Sequence, residues 1–84
     1  MDEIDHEGRV PVYMQVAAIL RRQIGSGELA ADRPLPSKAT LRQRYGVSQG
    51  SIERALEVLK AEGLIETVIG KGMYVLPPEE RPGR

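Results

Sequence analysis

Apolar residues return at helical spacing over the first part of the chain. Tyr13, Val16, Ala17, Leu20 and Ile24 share one face, while Gln15, Arg21 and Arg22 lie elsewhere on the wheel. The pattern predicts a helix from Pro11 to Gly25, with Pro11 suited to its start and the Gly-Ser-Gly of residues 25–27 as its stop. "GELAADRPLPS" carries no such period. Pro34 and Pro36 disfavour the helical region for the residue before each, so "RPLP" is expected to be extended. A short second helix follows from Ser37 to Tyr45, with Ser37 as N-cap and Gly46 as a left-handed stop. Ser48 caps a third helix that reaches Glu62, places Ile52, Ala55, Leu56 and Leu59 on one face, and is closed by Gly63. The period then falls to two. "LIETVI" sets Leu64, Glu66 and Val68 against Ile65, Thr67 and Ile69, and "MYVL" follows across "GKG", which predicts a hairpin.

Two short helices joined by a tight turn form a helix-turn-helix, and an appended hairpin makes it winged. The expected fold is therefore α+β and mainly helical, a three-helix winged helix-turn-helix with a C-terminal β-hairpin wing. Its body spans residues 9–76. Residues 1–8 form an acidic arm expected to be disordered, and "PPEERPGR" at 77–84 is read as a Pro-rich disordered end or linker.

At 84 residues and 40% hydrophobic the chain makes one domain. A domain of this size buries only roughly 60% of its unfolded surface, which leaves no room for a deep substrate cavity. There are no cysteines, so disulfides and thiolate metal sites are excluded. No apolar run approaches the ~20 residues that span a bilayer, and the N-terminus lacks the basic and apolar regions of a signal peptide. A cytoplasmic protein without cofactor, metal or membrane partner is the expectation. Enzymatic activity is not expected either. The single histidine, His6, lies in the acidic arm, and no nucleophile has a base nearby.

The zero net charge conceals an asymmetry. Asp2, Glu3, Asp5 and Glu7 give the arm −4, whereas residues 9–78 hold ten basic against six acidic side chains, a balance of +4. Such a body favours an anionic partner, and the helices refine this. Opposite Ile52 the third helix presents Gly50, Arg54, Glu57 and Ala61, flanked by Gln49, Ser51 and Glu53. "SQGS" contributes little to helix stability but suits a helix end that enters a DNA groove. Gln can pair with adenine, Arg with guanine, and Glu can accept from cytosine, while Gly50 lets backbones approach closely. Gln49, Ser51 and Arg54 are expected to touch bases. Lys38, Arg42, Ser48 and Lys71 are expected to hold the sugar-phosphate backbone. Ser37 at the start of the second helix and Gly70 and Gly72 around Lys71 complete the candidate DNA-binding set.

The stretches "YMQVAAILRRQIGSGELAADRPLPS", "LRQRYGVSQGSIERALEVLKAEGLIE" and "GKGMYV", from Tyr13 to Val75, resemble the N-terminal winged-helix domain of the GntR family of bacterial transcription regulators. The resemblance implies sequence-specific binding of double-stranded operator DNA, usually by a homodimer on a palindromic site, and a repressor located with the bacterial nucleoid. The sequence departs from the family pattern at three positions that are usually Arg: Ala39, Gln49 and Glu53, the last through a reversed Glu53-Arg54 order. The third helix then carries two basic and three acidic residues, which places phosphate contacts on the second helix and the wing. Most members also carry an effector-binding and dimerising domain. Only eight residues follow Leu76, so no effector is expected to bind within this chain, which reads either as a stand-alone regulator or as a DNA-binding half.

Two other readings compete. The acidic arm and acidic third helix suit a winged-helix protein-interaction module, joined to another chain through the hairpin edge. The arm is also a candidate to fold back on the basic face as an autoinhibitor.

Overall fold

A computed structural model of the protein describes residues 3–82; Met1 and Asp2 of the arm and Gly83 and Arg84 of the tail lie outside the described residues. Three helices come first: α1 (Val12–Ser26), α2 (Lys38–Tyr45) and α3 (Gln49–Ala61). The hairpin strands β1 (Ile65–Val68) and β2 (Gly72–Val75) follow. A 3₁₀ turn, Pro78–Glu80, is the last element of the described residues. The architecture is a winged helix-turn-helix, with Gly46, Val47 and Ser48 as the turn between α2 and α3.

Local chemistry sets most of the boundaries. The Ser37 hydroxyl accepts from Thr40 N–H at 3.1 Å, and the Ser48 hydroxyl from Ser51 N–H at 3.1 Å. Each satisfies one of the donors that a helix start leaves unpaired. Gly46 (φ 64°) and Gly63 (φ 77°) are left-handed and end α2 and α3. The first stop falls within the expected Gly-Ser-Gly, with the helix running one residue past Gly25 to Ser26. Gly25 stays helical, and Gly27 (φ 85°) takes the left-handed conformation with its N–H on Ile24 C=O.

The core gathers one stripe from each element. Val16 and Leu20 of α1, Leu41 of α2, Ile52 and Leu59 of α3, and Ile65 and Val75 of the hairpin are fully buried. Two expectations shift. Ile19 and Gln23 of α1 are buried as well, whereas Tyr13 is only half-buried, at the margin of the stripe.

In the hairpin Ile65 pairs with Val75, Glu66 with Tyr74, Thr67 with Met73, and Val68 with Gly72. Gly72, expected in the joint, is thus the first residue of β2. Lys71 N–H bonds Val68 C=O at 2.9 Å to close the turn, and Gly70 takes φ 82° at its third position, where a side chain would be strained. Ile69 departs from the expected alternation. It stands at the tip, 95% exposed, because the wing projects past the helices that cover Ile65. "RPLP" is extended as predicted and also pairs. Asp32 N–H bonds Val75 C=O at 2.8 Å, Val75 N–H bonds Arg33 C=O at 3.0 Å, and Leu35 N–H bonds Met73 C=O at 2.8 Å. The free edge of β2 is thereby covered.

Both ends are tied down further than composition suggests. Gln15 clamps the described arm: its Oε1 accepts from Asp5 N–H at 2.8 Å, and its Nε2 donates to Asp5 C=O at 2.9 Å and Val10 C=O at 2.8 Å. Ile4 packs against the core. The described residues of the arm therefore lie on α1 and not across the basic residues of α2. Pro77 is buried, Leu76 N–H bonds Leu64 C=O at 2.9 Å, and Arg81 Nε bonds Leu76 C=O at 2.8 Å. A few apolar and backbone contacts offset the polar composition that favours disorder. Among the described residues no helix is long and apolar enough to cross a membrane.

Candidate nucleic-acid interface

The exposed side of α3 begins at its cap. Ser48 is engaged twice with Ser51, through the Ser51 N–H and through a hydroxyl–hydroxyl bond of 3.2 Å. Gln49, Gly50, Glu53 and Arg54 are exposed and Ser51 is half-buried. A Cβ on Gly50 would meet only the Ser48 hydroxyl, at 3.9 Å. Packing within the chain therefore does not require glycine there.

Lys38 and Arg42 stand one turn apart on α2 and face α3. Glu53 Oε2 lies 3.7 Å from Lys38 Nζ and accepts from Gln49 Nε2 at 3.0 Å. Gln49 Oε1 accepts from Arg42 Nη1 at 3.5 Å. The hydrogen bond from Gln49, reinforced by the Lys38 charge, holds the Glu53 carboxyl below the usual 4.5. Glu53 is thus an anion at neutral pH, set among the cations of the face.

The wing closes the other side. Ser37, Lys38, Lys71 and Gly72 line a recess of about 250 Å³ between the start of α2 and the hairpin. An open groove of about 1070 Å³ continues from it along α3, lined by Lys38, Ser48, Gly50, Ser51, Glu53, Arg54 and Gly72. Arg42 and Gln49 join this face through the bonds above. Gly70 stands apart, in the turn at the hairpin tip and outside both linings.

The same groove includes residues that the sequence did not single out. Tyr13 of α1 lies under Arg54, with the guanidinium carbon 4.1 Å from the ring centroid. Lys60 of α3 donates to Thr67 of β1 at 3.3 Å, tying helix to wing. The signal for Tyr13 was its own amphipathic side chain, at the edge of an otherwise aliphatic stripe; Lys60 and Thr67 carry none, because their meeting depends on how the hairpin docks.

This face can be compared with known proteins. The family model for bacterial regulatory proteins of the gntR family matches residues 12–75. The chain belongs to the GntR family. Over 76 residues this GntR chain is 36% identical to the HTH-type transcriptional repressor NagR of Bacillus subtilis, covering 90% of itself and 31% of that protein. It is 38% identical over 74 residues to the mannosyl-D-glycerate transport/metabolism system repressor MngR of Escherichia coli, covering 88% of itself and 30% of MngR. It thus spans about a third of the length of these curated relatives. Among solved structures, the AraR DNA-binding domain in complex with operator ORX1 superposes with a TM-score of 0.78 at 30% identity. That match covers 86% of this chain and 93% of the AraR domain. The winged helix-turn-helix expected from the pattern is therefore the fold of this family member.

Proposed function

We propose that the chain is the sequence-specific, double-stranded-DNA-binding module of a transcription regulator of the repressor type. The observation that carries this is the AraR domain: nearly its whole length matches this chain, and it was crystallised on its operator. The face described above has the matching chemistry. In this reading α3 enters the major groove with Gln49, Ser51 and Arg54 toward base edges, and Glu53 accepts from a base amine. Lys38, Arg42 and Ser48 hold the sugar-phosphate backbone, with Ser37 at the start of α2 beside them. The wing places Gly70, Lys71 and Gly72 on the backbone or the minor groove. The partner is a palindromic operator bound by a homodimer, and the setting is the bacterial cytoplasm. Regulation, not catalysis, is the activity.

The competing interaction module loses support from the hairpin. The 32–35 segment already occupies the outer edge of β2, which leaves only the outer edge of the four-residue β1 for strand addition.

Selection of bound duplexes from a random pool tests the proposal. An enriched inverted repeat is expected, its half-site spacing reporting the dimer. Arg54→Ala should then cost about 1–3 kcal/mol at one base pair of each half-site. An unenriched pool, or an Arg54→Ala chain that binds selected and unselected duplexes like the parent, would count against base reading.

A further inference from the structure

The cations of the proposed reading face are already engaged within the chain. Glu53 Oε2 takes the Gln49 amide at 3.0 Å and faces Lys38 Nζ at 3.7 Å. Because Gln49 turns its Nε2 toward Glu53, it presents its Oε1 to Arg42 Nη1, at 3.5 Å. A single carboxylate on α3 thus reaches both backbone-holding cations of α2, one directly and one through an amide. All four side chains are exposed, and exposed pairs of this kind add little to stability. Maintaining the fold does not account for the arrangement. The carboxylate sits beside Lys38, at 3.7 Å, so any phosphate drawn to Lys38 has to compete with it.

A duplex offers that carboxylate two kinds of neighbour. A phosphate repels it and competes with it for Lys38. An exocyclic base amine in the major groove donates to it, as cytosine N4 does. Resting on the DNA-binding reading above, we infer that Glu53 is a specificity-determining residue acting as a gate on phosphate binding. On an arbitrary duplex it keeps Lys38, and through Gln49 also Arg42, from full engagement with phosphates. On the operator a base amine takes over the carboxylate, Gln49 turns to its own base, and both cations are released to the backbone. The face thereby disfavours the sequence-independent contacts that make up non-specific binding.

Glu53→Gln tests the gate, since glutamine preserves size and a hydrogen-bond acceptor while removing the charge. Binding of the parent and the variant is measured on a random-sequence duplex pool and on duplexes that the parent selects from it. The variant should bind the pool about tenfold more tightly at low salt, with a salt slope steeper by about 0.9 for each cation released to a phosphate. Its preference for selected over random duplex should fall correspondingly. Adding Lys38→Met to Glu53→Gln should abolish most of the gain. Pool affinity that is unchanged or lower, with an unchanged slope, overturns the gate and leaves DNA binding intact. A parent chain without salt-sensitive binding to any duplex overturns the DNA-binding reading and the gate with it.

Discussion

Arg54 of α3 lies over the ring of Tyr13 of α1, its guanidinium carbon 4.1 Å from the ring centroid. Stacking uses the face of the guanidinium and leaves its N–H edge free, so a stacked arginine can still form a bidentate fork. The contact with the ring holds the cationic head of Arg54 beside α1. α1 is remote in sequence from the reading helix, yet it supplies the platform for its central cation.

Tyr13 is consequently a positioning residue for Arg54. An exposed cation–π pair contributes about 0.5–1 kcal/mol, and Tyr13→Leu should lower unfolding stability by that amount. It should also weaken binding to selected duplexes while leaving random-pool affinity nearly unchanged, because aim and not charge is lost. Tyr13→Phe keeps the ring and should restore both. Equal discrimination by Tyr13→Leu and the parent, in the same titration, would remove the role.

How far the sequence reaches is clear from these residues. Ser37, Gly46, Ser48 and Gly63 declared their roles because a cap or a left-handed stop is decided within a few residues. The extended "RPLP" was legible for the same reason, since proline acts on its immediate neighbour. Its pairing with β2 was not, as it depends on where the hairpin docks. The candidate site divides in the same way. Exposure of Gln49, Gly50, Glu53 and Arg54 follows from the wheel. The link from Glu53 to Lys38 and the stack of Arg54 on Tyr13 join residues on different helices, and periodicity within one helix carries no information about them. Ile69 shows the converse failure, since strict alternation gives it a face but not a neighbour to cover it.

The pair Arg21–Glu62 makes stability pH-dependent. Arg21 Nε and Nη2 donate to the two Glu62 oxygens at 2.9 and 2.6 Å, tying α1 to the end of α3. The hydrogen bond from Arg21 lowers the Glu62 carboxyl below its usual 4.5, and the same bond raises the Arg21 guanidinium further above its ordinary value. A depressed carboxyl adds stability that is complete above 4.5 and is lost as pH falls from there through the folded value. With side chains 44% and 38% exposed, solvent screening limits the contribution to about 0.5–1 kcal/mol. Glu62→Gln should be less stable than the parent by this margin at neutral pH in urea unfolding. The gap should close in acid; a gap that persists there, or is absent at neutral pH, would contradict the assignment.

Tyr45 carries a polar group that the fold does not use. It is 6% exposed, and its hydroxyl is buried without a hydrogen-bond partner among the described residues. Leaving a hydroxyl unpaired costs about 1–3 kcal/mol, whereas the ring itself is part of the buried core. Tyr45→Phe should therefore match or exceed the parent in stability, by up to about 1 kcal/mol. Tyr45→Ala should lose about 3–5 kcal/mol, as large-to-small aromatic changes in cores do. A destabilised Tyr45→Phe chain would show that the hydroxyl has a partner.

Two glycines separate conformational strain from steric exclusion. Gly46 and Gly63 both hold left-handed backbone, with φ of 64° and 77°. A Cβ at Gly46 meets nothing within 4 Å, but a Cβ at Gly63 would collide with Cδ and Cγ of the Pro82 ring. Gly46→Ala should cost only the left-handed term, about 1–2 kcal/mol. Gly63→Ala should cost that much and also drive residues 81–82 from their seat, breaking the bond from Arg81 Nε to Leu76 C=O. Ending the chain after Glu80 removes the obstructing proline, so in that background the two alanine variants should become equally unstable. If Gly63→Ala still costs more than Gly46→Ala after truncation, the tail is not what the glycine makes room for. Proton exchange at the Arg81 side chain gives an independent reading, since it should accelerate in Gly63→Ala and not in Gly46→Ala.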